Sequence, residues 1–187
     1  MSAREAILQA TKTLFWERGY EATSPRDIQD LSEAGQGSFY HHFRSKRDLA
    51  AEAIQQVVSE RIEAFENAMG GNEPLKARIQ RFLHQRKEPF KGCRIGRMVW
   101  DSAVQDEKLR KPLEQYFRHL EERLKRELDE AAKQGKIKML LPSEQIALLI
   151  VAAIQGGFTV SRAMQQARVD DAVAALEQFL DISIIER

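Results

Sequence analysis

Apolar residues in this 187-residue chain return every three or four positions, and nowhere do they alternate as a half-buried strand requires. That period, punctuated by caps and stops, confines the chain to a helical fold. Ser2 followed by Glu5 makes a capping box, in which each side chain satisfies a free amide at a helix start. Ile7, Leu8, Thr11, Leu14 and Phe15 then share one face, and Gly19 supplies a stop. Ser24-Pro25-Arg26-Asp27 opens a second, short helix with Ile28 and Leu31 inward, and Ser32 to Gly35 reads as a turn. A third short helix spans about Gln36 to His42. Ser45-Lys46-Arg47-Asp48 opens a fourth, which ends at Gly70-Gly71. Asn72 caps a fifth, Ile95 to Ala103 forms a sixth, and a long seventh ends near Gly135, with Pro112 marking either a kink or a start close to Lys111. Ser143 caps an eighth helix and Asp170 begins a ninth. The expected fold is all-α, with about nine helices and no sheet.

The 29 basic and 28 acidic side chains leave a net charge of only +1, so any surface for nucleic acid must be a local patch. The amino terminus lacks the apolar run of a secretory signal. The most apolar stretch, Ile146 to Val160, falls short of the ~20 residues of a membrane span and is broken by Gln155-Gly156-Gly157, so it reads as a buried helix. Cys93 is the sole cysteine, which excludes an intrachain disulfide and suits a reducing cytoplasm.

The segment from Pro25 to Phe43 carries the most functional information. Two short helices joined by a tight turn are the minimum needed to place one of them in a DNA major groove. The second helix offers Gln36, Ser38, Tyr40 and His41 as groups able to bond base edges or phosphates, and Gly37 permits close backbone approach. Thr23, Ser24 and Arg26 stand at the start of the preceding helix, whose amide-rich end favours phosphate, and Lys46 can serve the neighbouring strand. The same spacing also suits an ordinary helical corner in which Phe39, Tyr40 and Phe43 are core. The two readings are compatible, with Phe39 and Phe43 anchoring the helix whose other face meets DNA.

The run Gly19-Tyr20, Ala22-Thr23, Asp27-Ile28, Gly37-Ser38-Phe39-Tyr40-His41-His42-Phe43, Ser45-Lys46 and Leu49 resembles the amino-terminal signature of the TetR-type (tetracycline-repressor-like) transcriptional regulators, without a gap across about residues 4 to 50. The resemblance implies an all-α homodimer that binds double-stranded operator DNA and releases it when a small molecule enters the larger domain. Two positions depart from the family's pattern. Glu33 stands where many members have Gly, and would need a left-handed backbone; Gly35 replaces the Ser or Thr cap of the recognition helix. Further on, Gly92-Cys93-Arg94-Ile95-Gly96 is similar to a Gly-Cys-x-x-Gly element of one branch of the family, a branch linked to electrophiles and small organic acids.

The expected division is a DNA-binding domain at 1–47 and an effector-binding and dimerisation domain at 48–187. Phe65, Phe82, Trp100 and Phe117 are core residues in a body where a ligand cavity could open, with Arg86, Cys93 and Arg97 as its polar candidates. From Lys76 to Arg97, Lys76, Arg78, Arg81, Arg86, Lys87, Lys91, Arg94 and Arg97 face a single acid, Glu88. That run reads either as a solvated basic face or as attraction for an anionic effector or DNA. Cys93 is either a small packed hydrophobe or a thiol sensor beside Lys91, Arg94 and Arg97. The charges from Glu121 to Lys133 read as a solvent face. Ile146, Ile150, Leu176 and Phe179 would supply a four-helix dimer interface, with Gly156 and Gly157 allowing close approach. No metal-ligand spacing, nucleophile triad or phosphate loop occurs, and neither an enzyme nor a cofactor is expected. Alternatives to an effector-released repressor are a ligand-independent regulator or activator, and a helical protein-interaction module that does not bind DNA.

Overall fold

The computed structural model describes residues 2–85 and 88–186. Among them the order is α1 (Ala3–Glu17), α2 (Pro25–Ser32), α3 (Gln36–His42), α4 (Lys46–Met69), α5 (Leu75–Leu83), α6 (Gly96–Val99), a 3-10 turn (Ser102–Gln105), α7 (Glu107–Lys133), β1 (Ile137–Met139), α8 (Ser143–Met164), α9 (Val169–Ser183) and β2 (Ile184–Glu186). The chain packs into two compact units that are not contiguous in sequence. The first holds the chain up to Arg61 together with Arg94–Tyr116, and the second holds Ile62–Cys93 and the chain from Phe117 onward. Packing therefore does not divide the chain at residue 47.

In the first unit, Ser2 and Ser24 each form a capping box, with Glu5 and Asp27 respectively. Ile7, Leu8, Leu14, Ile28, Phe39, Phe43, Leu49 and Ala53 close one small core under α1, α2, α3 and α4. Ile28 is buried as expected, but Leu31 is 52% exposed. The expected sixth helix is two pieces. Asp101, in extended backbone, interrupts it after one turn and caps the 3-10 turn by accepting the Ala103 amide. Helix α7 begins at Glu107, so Pro112 lies inside it rather than at its start.

In the second unit, neither Asn72 nor Ser143 caps a helix. Pro74 and Pro142 hold those cap positions instead, and the Ser143 hydroxyl donates to Asp129 at 2.5 Å. The carbonyls at the end of α4 are closed by two arginines of α5. Arg81 donates to the Ala68 and Gly70 carbonyls at 2.8 and 2.7 Å, and Arg78 donates to that of Met69 at 2.9 Å. Such carbonyls have no partner within their own helix. Lys76 pairs with Asp181 at 2.5 Å. These members of the basic run are thus bonding groups of the fold rather than a free cationic face.

A two-stranded antiparallel sheet, absent from the expected fold, pairs Ile137 with Glu186 and Met139 with Ile184. Helices α8 and α9 pack closely because Gly157 has no side chain: a Cβ there would lie 3.0 Å from the Val169 Cα. The buried Ser161 hydroxyl joins the two helices, donating to the Gly157 carbonyl at 2.7 Å and accepting the Arg168 and Val169 amides at 2.8 and 2.9 Å.

Candidate nucleic-acid interface

Helix α3 is only seven residues long, too short to persist without tertiary support. Its support comes from Phe39, fully buried, and Phe43, whose rings sit 6.4 Å apart in the head core. That anchorage turns Gln36, Gly37, Tyr40 and His41 outward, with Ser38 half-buried beside them. The turn leading into α3 is made by Glu33, whose φ of 56° is left-handed, the conformation its place in the pattern demands. Gly35 holds the cap position with no side-chain bond. His42 and Arg44, absent from the expected set, are also exposed at the far end of this helix. Their signal lay in sequence adjacency to His41 alone.

The other expected contacts divide. Arg26 is exposed on α2, 4.0 Å from Asp30. Ser24 is exposed, but its hydroxyl accepts the Asp27 amide at 3.1 Å while its own amide donates to the Asp27 carboxylate at 2.7 Å. The Ser24 hydroxyl also donates to that carboxylate at 2.6 Å, and this bond, with that from the Ser24 amide, holds the Asp27 carboxyl below its ordinary value. Thr23 does not belong to the surface. It is 0% exposed, and its hydroxyl donates to the Gly19 carbonyl at 2.7 Å. Lys46 is half-buried, its ammonium 4.1 Å from the centre of the Tyr20 ring, and burial lowers its pKa. A row of polar side chains on a rigidly anchored, protruding helix is therefore the surface that can meet base edges, flanked by an exposed arginine for phosphate.

Known proteins carry the same two parts in the same order. The pattern of bacterial regulatory proteins of the tetR family matches residues 7–53, and that of the tetracyclin repressor-like C-terminal domain matches residues 71–176. This chain belongs to the TetR family. An HTH-type transcriptional regulator from the lacX 3' region of Lactococcus lactis subsp. lactis is 31% identical over 90% of the chain and 87% of its own length. The HTH-type transcriptional repressor DhaR of Mycobacterium sp. (strain GP1) is 24% identical over 96% of the chain and 89% of its own length. A TetR transcriptional regulator from Chloroflexus aurantiacus J-10-FL superposes with a TM-score of 0.87 at 22% identity, covering 99% of this chain and 97% of that one. The protein is a DNA-binding transcriptional regulator.

In this TetR-family chain, the aromatic centre of the second unit is made by Phe65 and Phe82, both buried, edge to face at 4.8 Å. His119 lies 6.1 Å from Phe65 by ring centres and bonds Glu66 at 2.7 Å; Arg123 bonds the same carboxylate at 3.1 Å. Burial raises the Glu66 pKa, but these two bonds outweigh it and leave the carboxyl below its ordinary value. Arg78 reaches Glu127 at 2.9 Å, and Arg123 bonds Glu127 in turn. Arg123 and Glu127 are thus largely buried, so the charge run on α7 is not wholly a solvent face. Glu66, His119 and Arg123 escape sequence reading because their partners lie more than fifty residues away.

The expected effector residues are divided between the two units. Phe65, Phe82, Cys93 and Phe117 fall in the second unit, Arg97 and Trp100 in the first, and Arg86 lies outside the described residues. Trp100 is not core: it is 84% exposed. The Arg97 guanidinium donates to the Glu17 carbonyl at 2.9 Å, and that of Arg94 lies 4.4 Å over the Trp16 ring. Two of the three cations expected beside the Cys93 thiol are therefore engaged elsewhere. Cys93 itself is half-buried and free.

The residues expected at the dimer interface divide, with Gly156 exposed and most of the others packed inside the chain. Ile146, Ile150, Gly157 and Leu176 are buried within the chain, and Phe179 is half-buried. The face of α8 left open is the opposite one: Leu148, Leu149, Ala152, Gly156, Thr159 and Val160. Ile182 of α9 adds to the exposed apolar surface at 68%. Helix α8 is 22 residues long and apolar enough to cross a membrane by length and composition alone, with 33% of that stretch buried.

Proposed function

We propose that this regulator is a cytoplasmic homodimeric repressor that grips operator DNA with α3 and releases it when a small molecule enters the second unit. The observation that carries the reading is the outward row Gln36, Gly37, Tyr40 and His41, with Ser38 half-buried beside it, on a helix anchored by Phe39 and Phe43. The resemblance to the repressor DhaR over nearly the whole chain supports repression rather than activation. Ser24 and Arg26 steady the complex on phosphates, with Lys46 beside them. Phe65, Phe82 and Phe117 supply the apolar lining for an effector in the second unit.

Dimerisation follows from surface chemistry. The open α8 stripe is an apolar face of the kind soluble proteins cover with a partner. Gly156 has nothing within 4 Å of where a Cβ would stand, which leaves room for a second helix to approach closely. A dimer that reads two half-sites on one face of DNA presents its recognition helices ~34–36 Å apart, one helical turn. Selection of duplexes from a random pool by the full chain tests the reading. Enrichment of a two-fold symmetric site is expected, and failure to enrich any sequence would favour a helical protein-interaction module instead.

A further inference from the structure

The segment between α6 and the first turn of α7 reaches back repeatedly onto the DNA-binding head, within the first unit. Asp101 is the centre of it. Its Oδ2 accepts the Tyr20 amide at 2.7 Å and the Glu21 amide at 3.3 Å, while Oδ1 accepts the Ala103 amide at 3.1 Å. Gly19 makes the approach possible. Its φ of +90° belongs to glycine, and a Cβ there would stand 2.7 Å from Asp101 Oδ2. Arg97 donates to the Glu17 carbonyl one turn earlier, and the Ser102 hydroxyl donates to the Glu21 carboxylate. At the other end of the segment, Asp106 accepts from Arg47, and Lys108 donates to Asp48 at 2.6 Å.

These contacts fall on both flanks of the helix-turn-helix. Gly19, Tyr20 and Glu21 lead into α2, and Arg47 with Asp48 opens α4. Tyr20 joins the two flanks, since its ring packs edge-on against Phe15 at 5.6 Å and carries the Lys46 ammonium on its face. Holding the Tyr20 amide therefore holds the backbone from which that ring reaches the start of α4.

We propose that Asp101 is a positioning residue for operator binding: its carboxylate clasps the Gly19–Glu21 turn and holds the helix-turn-helix in its DNA-competent arrangement without touching DNA. The proposal rests on the DNA-binding reading above. Binding to a preorganised head avoids the loss of freedom that ordering it on DNA would cost. Because the clasp reads no bases, its loss lowers affinity for every duplex alike.

The test uses the full chain and the duplex that wild type enriches from a random pool, at one fixed salt concentration. Asp101→Ala is expected to bind that duplex about tenfold more weakly, a typical allosteric coupling. It should enrich the same sequence and exchange the Tyr20 and Glu21 amides faster than wild type, with its unfolding temperature close to wild type. Asp101→Asn, which keeps one acceptor oxygen, should recover part of the affinity. Equal or tighter binding by Asp101→Ala overturns the proposal, as does a changed base preference. Should Asp101→Ala fail to fold, Asp101→Asn decides alone. Faster exchange with weaker binding upholds the clasp, and unchanged exchange or unchanged binding overturns it. Wild type that enriches no duplex sinks the DNA-binding reading together with the clasp, whereas loss of the clasp alone shows only in the variants.

Discussion

Helices α3 and α8 each leave one face open, and the two faces have opposite chemistries. The seven residues of α3 bury one aromatic anchor and turn amide, phenol and imidazole groups outward. The 22 residues of α8 bury Ile146, Ile150 and Gly157 and turn leucine, alanine, glycine and valine outward. Polar groups on a rigid short helix suit the edges of bases, which offer hydrogen bonds and little apolar area. An apolar stripe on a long helix suits another such stripe. Exposure alone would class both as surface. What stands exposed, and on how firm a support, separates the face proposed to read a sequence from the face proposed to meet a second copy.

The contrast breaks most severely if the support is removed. Phe39→Ala should destabilise the head by about 3–5 kcal/mol, the usual cost of emptying a core aromatic site. DNA binding should vanish while sedimentation still reports a dimer, because α8 and α9 lie in the other unit. Loss of both together would mean that the two faces are not separable. Leu148, 54% exposed at the amino-terminal end of the stripe, probes the other side. Leu148→Asp should weaken dimerisation by about 2 kcal/mol, roughly thirtyfold, as at an anchoring interface residue. Sedimentation equilibrium reads it, and an unchanged association constant would move the interface elsewhere.

Smaller changes sharpen the comparison within the DNA-binding face. Gln36→Ala should cost about 1–3 kcal/mol and alter which base pairs are enriched. Arg26→Ala should weaken all duplexes alike and flatten the salt dependence by about one unit of slope. If the Gln36 variant enriches the wild-type site, another residue reads the bases. Smallest of all is an effect of acid. A hydrogen bond from Arg47 holds the Asp106 carboxyl down to about 2, from an ordinary 3.8. The folded value is the lower one, so the bond contributes fully above pH 3.8 and is lost as pH falls toward 2. Asp106 is only half-buried and its Arg47 partner is exposed, so solvent screens the pair, the change in stability should be slight, and an NMR titration of its carboxyl is the measurement. A midpoint at the ordinary value would show that the Arg47 bond does not persist in solution.

The first three helices were legible because their determinants are local. Ser2 with Glu5, and Ser24 with Pro25 and Asp27, specify helix starts within four residues, and Glu33 is left-handed where the pattern requires it. Legibility fails where a determinant is distant. Asp101 breaks the expected sixth helix because its carboxylate serves a turn eighty residues away, and nothing beside it in the chain reports this. Basic residues from Lys76 to Arg97 resembled a free patch because carbonyl partners such as Ala68 and Gly70 leave no trace in a pattern of side chains. On α8, apolar residues run all round, so periodicity gave the helix but not its inward face. Strands of three residues are too short to show alternation.

The division into units also sets an order in time. Synthesis runs from the amino terminus, and domains close as their parts emerge. The core joining Ile7, Ile28, Phe39 and Leu49 is complete once α4 has begun, long before Asp101 exists. A nascent head is therefore formed but unclasped until the segment from Arg94 to Tyr116 follows. The α8 stripe is made after both the head and the segment that clasps it, and Ile182 later still. The open apolar surface is thus absent from the growing chain while the head closes.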